Sequence, residues 1–276
     1  MAVPAALPNI LILYSIMTAI HPLRYTWSYR EPADLSRLAY HKLIFWNDGI
    51  CLLGYSEEHT IVAAKSLGFD PDISAETFTG FLMDEPLLGG GEPVTQLLVF
   101  SDRQMLIPEG VFDVNASEGW FRSLHFVDTN EAVEVFALHK PKAVALEAVR
   151  RDLISVIKGI YADVAVLGFS NHLLNFFDEG AGNVGVTILG DKAVLQAYRF
   201  QQLHALKVTD ASEGEVLQFI AALQDTYGMK QEDVRITVSG YGDRLVPVMI
   251  TLRDFFATRE HLLQESFFNA VALCGS

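Results

Sequence analysis

Apolar residues in this chain fall into short runs broken by Gly, Asp and Pro, with only a few stretches at helical spacing. Runs at 41–46 and 50–55 flank Asn47-Asp48-Gly49. Asp-Gly between two apolar runs predicts a hairpin with a tight type I′ turn, because both residues tolerate positive φ. Residues 60–64 predict a third short strand. Ser74 reads as a helix N-cap, with Ile73 and Phe78 placed as a hydrophobic staple and Phe78, Phe81 and Leu82 on one face. Residues 84–93, with Pro86 and Gly89-Gly90-Gly91, read as a flexible loop. Residues 94–100 and 104–108 predict extended segments, and 131–138 alternates as a strand does. Pro141 is expected to open a helix carrying Leu146, Val149, Leu153, Val156, Ile157 and Ile160, before 163–169 returns as a buried strand.

The second half is organised around residues 172–200, two β-rich apolar runs separated by a glycine cluster. The expected arrangement is a strand ending at Asp178, a turn through Gly180 and Gly182, and a second, antiparallel strand that includes Val186 to Leu189, with a further turn at Gly190-Asp191. Ser212-Glu213-Gly214-Glu215 has the form of a capping box. Val216, Phe219, Ile220, Leu223 and Tyr227 make the apolar face of the helix it opens, and Gly228 stops that helix. Residues 234–238 predict a strand ending at Ser239-Gly240-Tyr241-Gly242. A helix with Leu245, Val248, Met249, Leu252 and Phe256 on one face follows, and the apolar tail, 262–274, fits either period. The order of elements implies two similar α/β halves of mixed sheets backed by helices, with a cleft between them. The division is an entry segment at 1–38, a first lobe at 39–170 and a second at 171–276.

Composition narrows the partners. The chain has 276 residues, half of them hydrophobic, and a net charge of −14. With no basic cluster to offset that charge, nucleic acid and anionic lipid are disfavoured. Cys51 and Cys274 are the only cysteines and stand in no ligand spacing, so a reducing, cytoplasmic setting is expected. The first Lys or Arg is Arg24, on the wrong side of the apolar run at 10–20 for a secretory signal, and that run is short for a membrane span. It reads as a packed or disordered extension, as the product of a start upstream of Met17, or as an anchor. Apolar segments at 10–20 and 267–273 need cover, from the protein's own lobes, from a second copy or from another protein.

Motifs for common chemistry fail on context. Gly180-Ala181-Gly182-Asn183-Val184-Gly185 satisfies G-x-G-x-x-G, yet a strand-like run follows where a dinucleotide site needs a helix. No Lys-Ser/Thr follows the glycine run at 89–91, as a phosphate loop would require. The eight histidines show no zinc spacing, and Gly168-Phe169-Ser170 is not a nucleophile elbow. Asp178 and Glu179 are neighbours that would face opposite ways on a strand, which leaves no joint acid and base role.

The turn at Asp178, Gly180 and Gly182 resembles the second phosphate loop of the actin-like ATPase superfamily, and Ser239, Gly240 and Gly242 resemble its adenosine-side motif. Active members carry an Asp-x-Gly-Ser/Thr turn between the first two strands. Here Asn47 stands at the aspartate position and Ile50 at the hydroxyl position. From about residue 41 onward the order of elements resembles the uncharacterised bacterial family catalogued as domain of unknown function 3822. The features are the 47–49 hairpin, Ile107-Pro108 and Val111-Phe112, His172 after a strand, and Gly240 after the penultimate strand. The resemblance implies two RNase H-like lobes without an assigned activity. The expected function is a non-catalytic binding or protein-interaction module with no cofactor. The alternative is a kinase or ATPase binding ATP and Mg²⁺ in the cleft, with Asp178, Gly180, Gly182, Ser239, Gly240 and Gly242 as its nucleotide contacts.

Overall fold

A computed structural model describes residues 23–30, 35–138, 142–169, 184–199 and 202–260. Three sheets are present among them. The first is built from β1 (Leu23–Arg30), β2 (Tyr40–Trp46), β3 (Gly49–Tyr55), β4 (Ile61–Phe69), β5 (Val94–Val99) and β9 (Ala165–Gly168), in the order β1-β4-β3-β2-β5-β9. The second uses β10 (Val184–Leu189), β11 (Lys192–Arg199), β12 (Gln202–Asp210), β13 (Arg235–Tyr241) and β14 (Ala257–Glu260), in the order β12-β11-β10-β13-β14. Leave out β1 and the two sheets match strand for strand. Each runs through three antiparallel strands, then crosses back so that a fourth pairs parallel with the first and a fifth with the fourth.

The helices repeat in the same places: α1 (Ala75–Asp84) and α3 (Arg151–Ile160) in the first lobe, α4 (Glu213–Tyr227) and α5 (Leu245–Phe255) in the second. Ser74 caps α1 by accepting from the Thr77 N–H, and Ile73 packs with Phe78 in one core, as the staple requires. Gly228 ends α4 at φ +60°. Ser212 accepts from the Glu215 N–H at 3.3 Å, but the Glu215 carboxylate turns to Lys207 at 3.1 Å and Thr209 at 2.9 Å, so only half of the expected capping box forms.

Between β5 and α3 the first lobe carries an extra unit of β6 (Gln104–Pro108), α2 (Ser117–Leu124), β7 (Glu131–Leu138) and β8 (Ala143–Arg150), its strands ordered β6-β8-β7. The expected helix from Pro141 is therefore corrected. Residues 143–150 are the central strand of this sheet, and α3 begins only at Arg151. All eight residues of β8 are buried, and an apolar run buried on both faces has no period that separates strand from helix. β1, α2, β12 and β14 had no counterpart in the sequence reading. The third strand runs on to Phe69, well past residue 64.

Each of the two large sheets has apolar residues packed on both faces. Leu43, Phe45, Ile50, Leu52, Leu97 and Val99 pack against α1 and α3, and Val184, Val186, Ile188 and Leu195 against α4 and α5. The opposite faces meet each other. Ile44, Trp46, Leu53, Leu98 and Phe100 from the first lobe form one cluster with Leu189, Val194, Val208 and Tyr241 from the second. Each such side chain contributes about 1.5–3 kcal/mol on burial, so the lobes are joined by a core, with a cleft open at one end. No helix among the described residues is long and apolar enough to cross a membrane.

Candidate functional site

The open end is where the first turn of each lobe comes together. β2 and β3 turn through Asn47-Asp48, β10 and β11 through Gly190-Asp191. The first turn is not the type I′ expected, since neither Asn47 nor Asp48 is among the positive-φ residues. Gly49 is required for another reason: a Cβ there would stand 2.3 Å from the Trp46 indole, which lies over it. Gly190 takes φ +67°.

Both edges of β10 are filled along its whole length, by β11 on one side and β13 on the other. Val184–Leu189 cannot pair antiparallel with a strand ending at Asp178, and the expected hairpin is corrected. The second lobe's counterpart of the Asn47-Asp48 turn is Gly190-Asp191. Asp178, Gly180 and Gly182 themselves lie outside the described residues, as do His172 and the apolar segments 10–20 and 267–273.

Around the two turns lies a cleft of about 230 Å³, bordered by Asn47, Asp48 and Lys192 and, from the extra unit and its neighbours, by Asp102, Arg103, Asp128, Asn130, Glu131 and Arg150. Lys192 spans the gap: its ammonium lies 3.5 Å from the Asp48 carboxylate and 2.9 Å from that of Asp210. Burial alone would lower the Lys192 pKa, but the bond it donates to Asp210 and the pull of Asp48 outweigh it, and the amine is held above its ordinary value. Asp191 is pushed up, first by withdrawal from solvent and then by the facing Asp48 charge.

Asn47 is held by the extra unit. Its amide nitrogen donates to the Ala148 carbonyl at 3.1 Å and to Glu131 at 3.4 Å, while its oxygen accepts from the Arg150 N–H at 3.3 Å. Donor and acceptor are both needed, and a carboxylate offers only acceptors. Ile50 points the other way, into the core against α1 and α3. Glu131 receives both ends of the Arg103 guanidinium and the Asp128 N–H. Arg150 is buried and spends its donors on Asp152, on the Pro71 carbonyl and on the Ile73 carbonyl. Burial pushes the Asp152 carboxyl up, but its bonds from Arg150 prevail and hold it below the ordinary carboxylate range.

Ser239, Gly240 and Gly242 stand at the C-terminal end of β13. The Ser239 hydroxyl is buried and bonded to that of Thr187 at 3.0 Å. Gly240 has φ +110°, and a Cβ there would lie 1.9 Å from the Ile188 carbonyl oxygen. Gly242, at φ +107°, leads into α5 and accepts from the Leu245 N–H at 3.1 Å. Between the two glycines Tyr241 reaches the first lobe, donating to Ser66 at 3.3 Å. Beside it burial pushes the Cys51 thiol up to about 12, against the smaller effect of its hydrogen bond with Tyr241, which leaves no thiolate at neutral pH. No group of three or more His, Cys, Asp or Glu placed to hold a metal occurs among the described residues.

The residues that border the cleft were mostly missed in the sequence. Lys192, Arg103, Glu131 and Arg150 sit in no motif. The one available signal was the likeness of Trp46-Asn47-Asp48-Gly49 to Leu189-Gly190-Asp191-Lys192, each a turn with Asp in third place between apolar runs.

No family model matches the chain, and no curated protein matches it in sequence. Among solved structures it is similar to a Bacteroides thetaiotaomicron protein with an actin-like ATPase fold and unknown function. The two are 14% identical with a TM-score of 0.67, over 87% of this chain and 97% of that one. A looser likeness is to the cytoplasmic domain of EpsL, an inner membrane component of the type II secretion system of Vibrio cholerae. There the identity is 13% and the TM-score 0.47, over 84% of this chain and 92% of that one. EutJ from Carboxydothermus hydrogenoformans gives 11% and 0.44, over 85% and 89%. The first of these shows the fold, an actin-like ATPase fold of mixed α/β sheets; the other two are too distant in shape to carry weight.

Proposed function

We propose that this protein is a non-catalytic binding module which keeps the actin-like ATPase fold and uses the nucleotide end of it structurally. The observation that carries the reading is the Asn47 side chain. At the position where the superfamily resemblance calls for an aspartate, an amide is bonded to Ala148, Glu131 and the Arg150 N–H, in a pattern that a carboxylate cannot make. Lys192 reaching Asp48 across the gap supports the same conclusion, because it joins the two turns between which phosphates would have to enter.

The size and charge of the cleft agree with this. Ligand pockets usually measure about 300–1,000 Å³, and this one is about 230 Å³. Its border carries Asp48, Asp72, Asp102, Asp128 and Glu131 against Arg103, Arg150 and Lys192, a poor setting for a triphosphate. Ser239, Gly240 and Gly242 then serve the β10–β13 pairing and the entry to α5. On this reading the protein belongs with the branch that includes domain of unknown function 3822, divides near residue 170 into two lobes, needs no cofactor, works in the cytoplasm and has a protein as its partner. Thermal unfolding with and without millimolar ATP and Mg²⁺ tests it. An unchanged Tm is expected; a rise of several degrees, the signature of a ligand held by the native state, would support a kinase or ATPase instead.

A further inference from the structure

We propose that the acidic mouth of the cleft, together with the exposed apolar residues beside it, docks a peptide segment of a partner protein in which Lys or Arg stands next to aliphatic or aromatic side chains. This deepens the reading of the protein as a binding module and rests on it.

Charge at the mouth is unbalanced in one direction. Arg103, Arg150 and Lys192 are the cations that border it, and each is already bonded to an acidic partner: Glu131, Asp152 and Asp210 respectively. Asp72, Asp102 and Asp128 are exposed on the same rim. Asp102 meets only the far edge of Arg103, 3.7 Å away. A cationic group entering here would meet a border on which carboxylates outnumber cations, whereas an anion would meet repulsion.

The apolar half adjoins this rim through the chain itself. Phe126, two residues before Asp128, is 77% exposed, and its carbonyl accepts from Arg103 at 2.7 Å, which fixes it beside the cleft. Leu124, at the end of α2, is 70% exposed, and Trp120 one turn earlier is 44% exposed. The inner face of the same helix is anchored by Phe121, fully buried. Single exposed apolar residues are ordinary, but three on one element and its continuation, leading along the chain into a carboxylate-rich rim, match a segment that offers both characters. The cleft itself, at about 230 Å³, is of the order of one long side chain.

Selection of a random peptide library displayed on phage against the immobilised full chain tests this. Enriched sequences should place Lys or Arg beside Leu, Ile, Phe or Trp. A synthetic peptide of the enriched sequence should bind about tenfold more weakly to Asp102→Asn/Asp128→Asn and to Leu124→Ser/Phe126→Ser, and weaken further as salt is raised. Both variants change exposed side chains only, and unchanged thermal unfolding would show that they fold. No enrichment, enrichment without basic residues, or equal affinity for the variants would each overturn the proposal. So would spermidine competing as well as the peptide, since that would make the site one for small cations. The parent reading is separately decided by ATP: if ATP leaves stability unmoved and no peptide is enriched, only the present inference fails.

Discussion

Asn47 shows how one side chain can carry a structural duty at a position that a resemblance assigns to chemistry. Its amide joins the β2–β3 turn to the backbone of β8, and its donor faces two acceptors, the Ala148 carbonyl and the Glu131 carboxylate. Asn47→Asp is nearly isosteric, yet it would set a negative charge against both and remove the donor that each accepts from. We expect it to lower stability by about 1–3 kcal/mol, read as a lower urea midpoint at unchanged slope, and to confer no ATP binding. The sequence showed that an aspartate was missing but not what the asparagine does, because Ala148 lies 101 residues further on. Nothing local in the turn points to β8.

At the scale of elements the same separation decides what was legible. Elements with chemistry written into a few adjacent residues could be read directly: the Ser74 cap, the Gly228 stop and the 47–49 hairpin all form. β8 could not, since its eight buried residues and the helix that follows make one continuous apolar pattern. Gly240 belongs with the second group. It reads as a ligand glycine next to Gly242, but its requirement comes from Ile188 on the neighbouring strand and from its own positive φ. Gly240→Ala should therefore cost about 3 kcal/mol or more, since backbone and not a flexible side chain must move. Chemical denaturation checks this. A loss under 1 kcal/mol would mean that β10 and β13 can separate locally without penalty.

On the scale of the molecule, the two-lobed plan was legible because the pattern of strands and helices repeats, whereas the joint between the lobes was not. The sequence suggests two halves with a cleft between them. In the structure the sheets share a core through Ile44, Leu98 and Phe100 on one side and Leu189, Val194 and Tyr241 on the other. A shared core of this kind couples the halves energetically. Differential scanning calorimetry is expected to give one transition with equal calorimetric and van't Hoff enthalpies, and two resolved transitions would show that the lobes unfold independently. The second-lobe turn was misplaced for a related reason: the glycine cluster at 180–185 is the conspicuous signal, while Gly190-Asp191, which faces Asp48, has a single glycine.

The central claim is that the two turns have been joined by the protein's own side chains and no longer accept a nucleotide. Titration calorimetry of the full chain with ATP in the presence of Mg²⁺ tests it most directly. The account predicts no binding heat beyond dilution at millimolar ATP. Saturable, magnesium-dependent heat with a micromolar dissociation constant would contradict it, and would return Asp48, Lys192 and the β13 glycines to the role of nucleotide contacts.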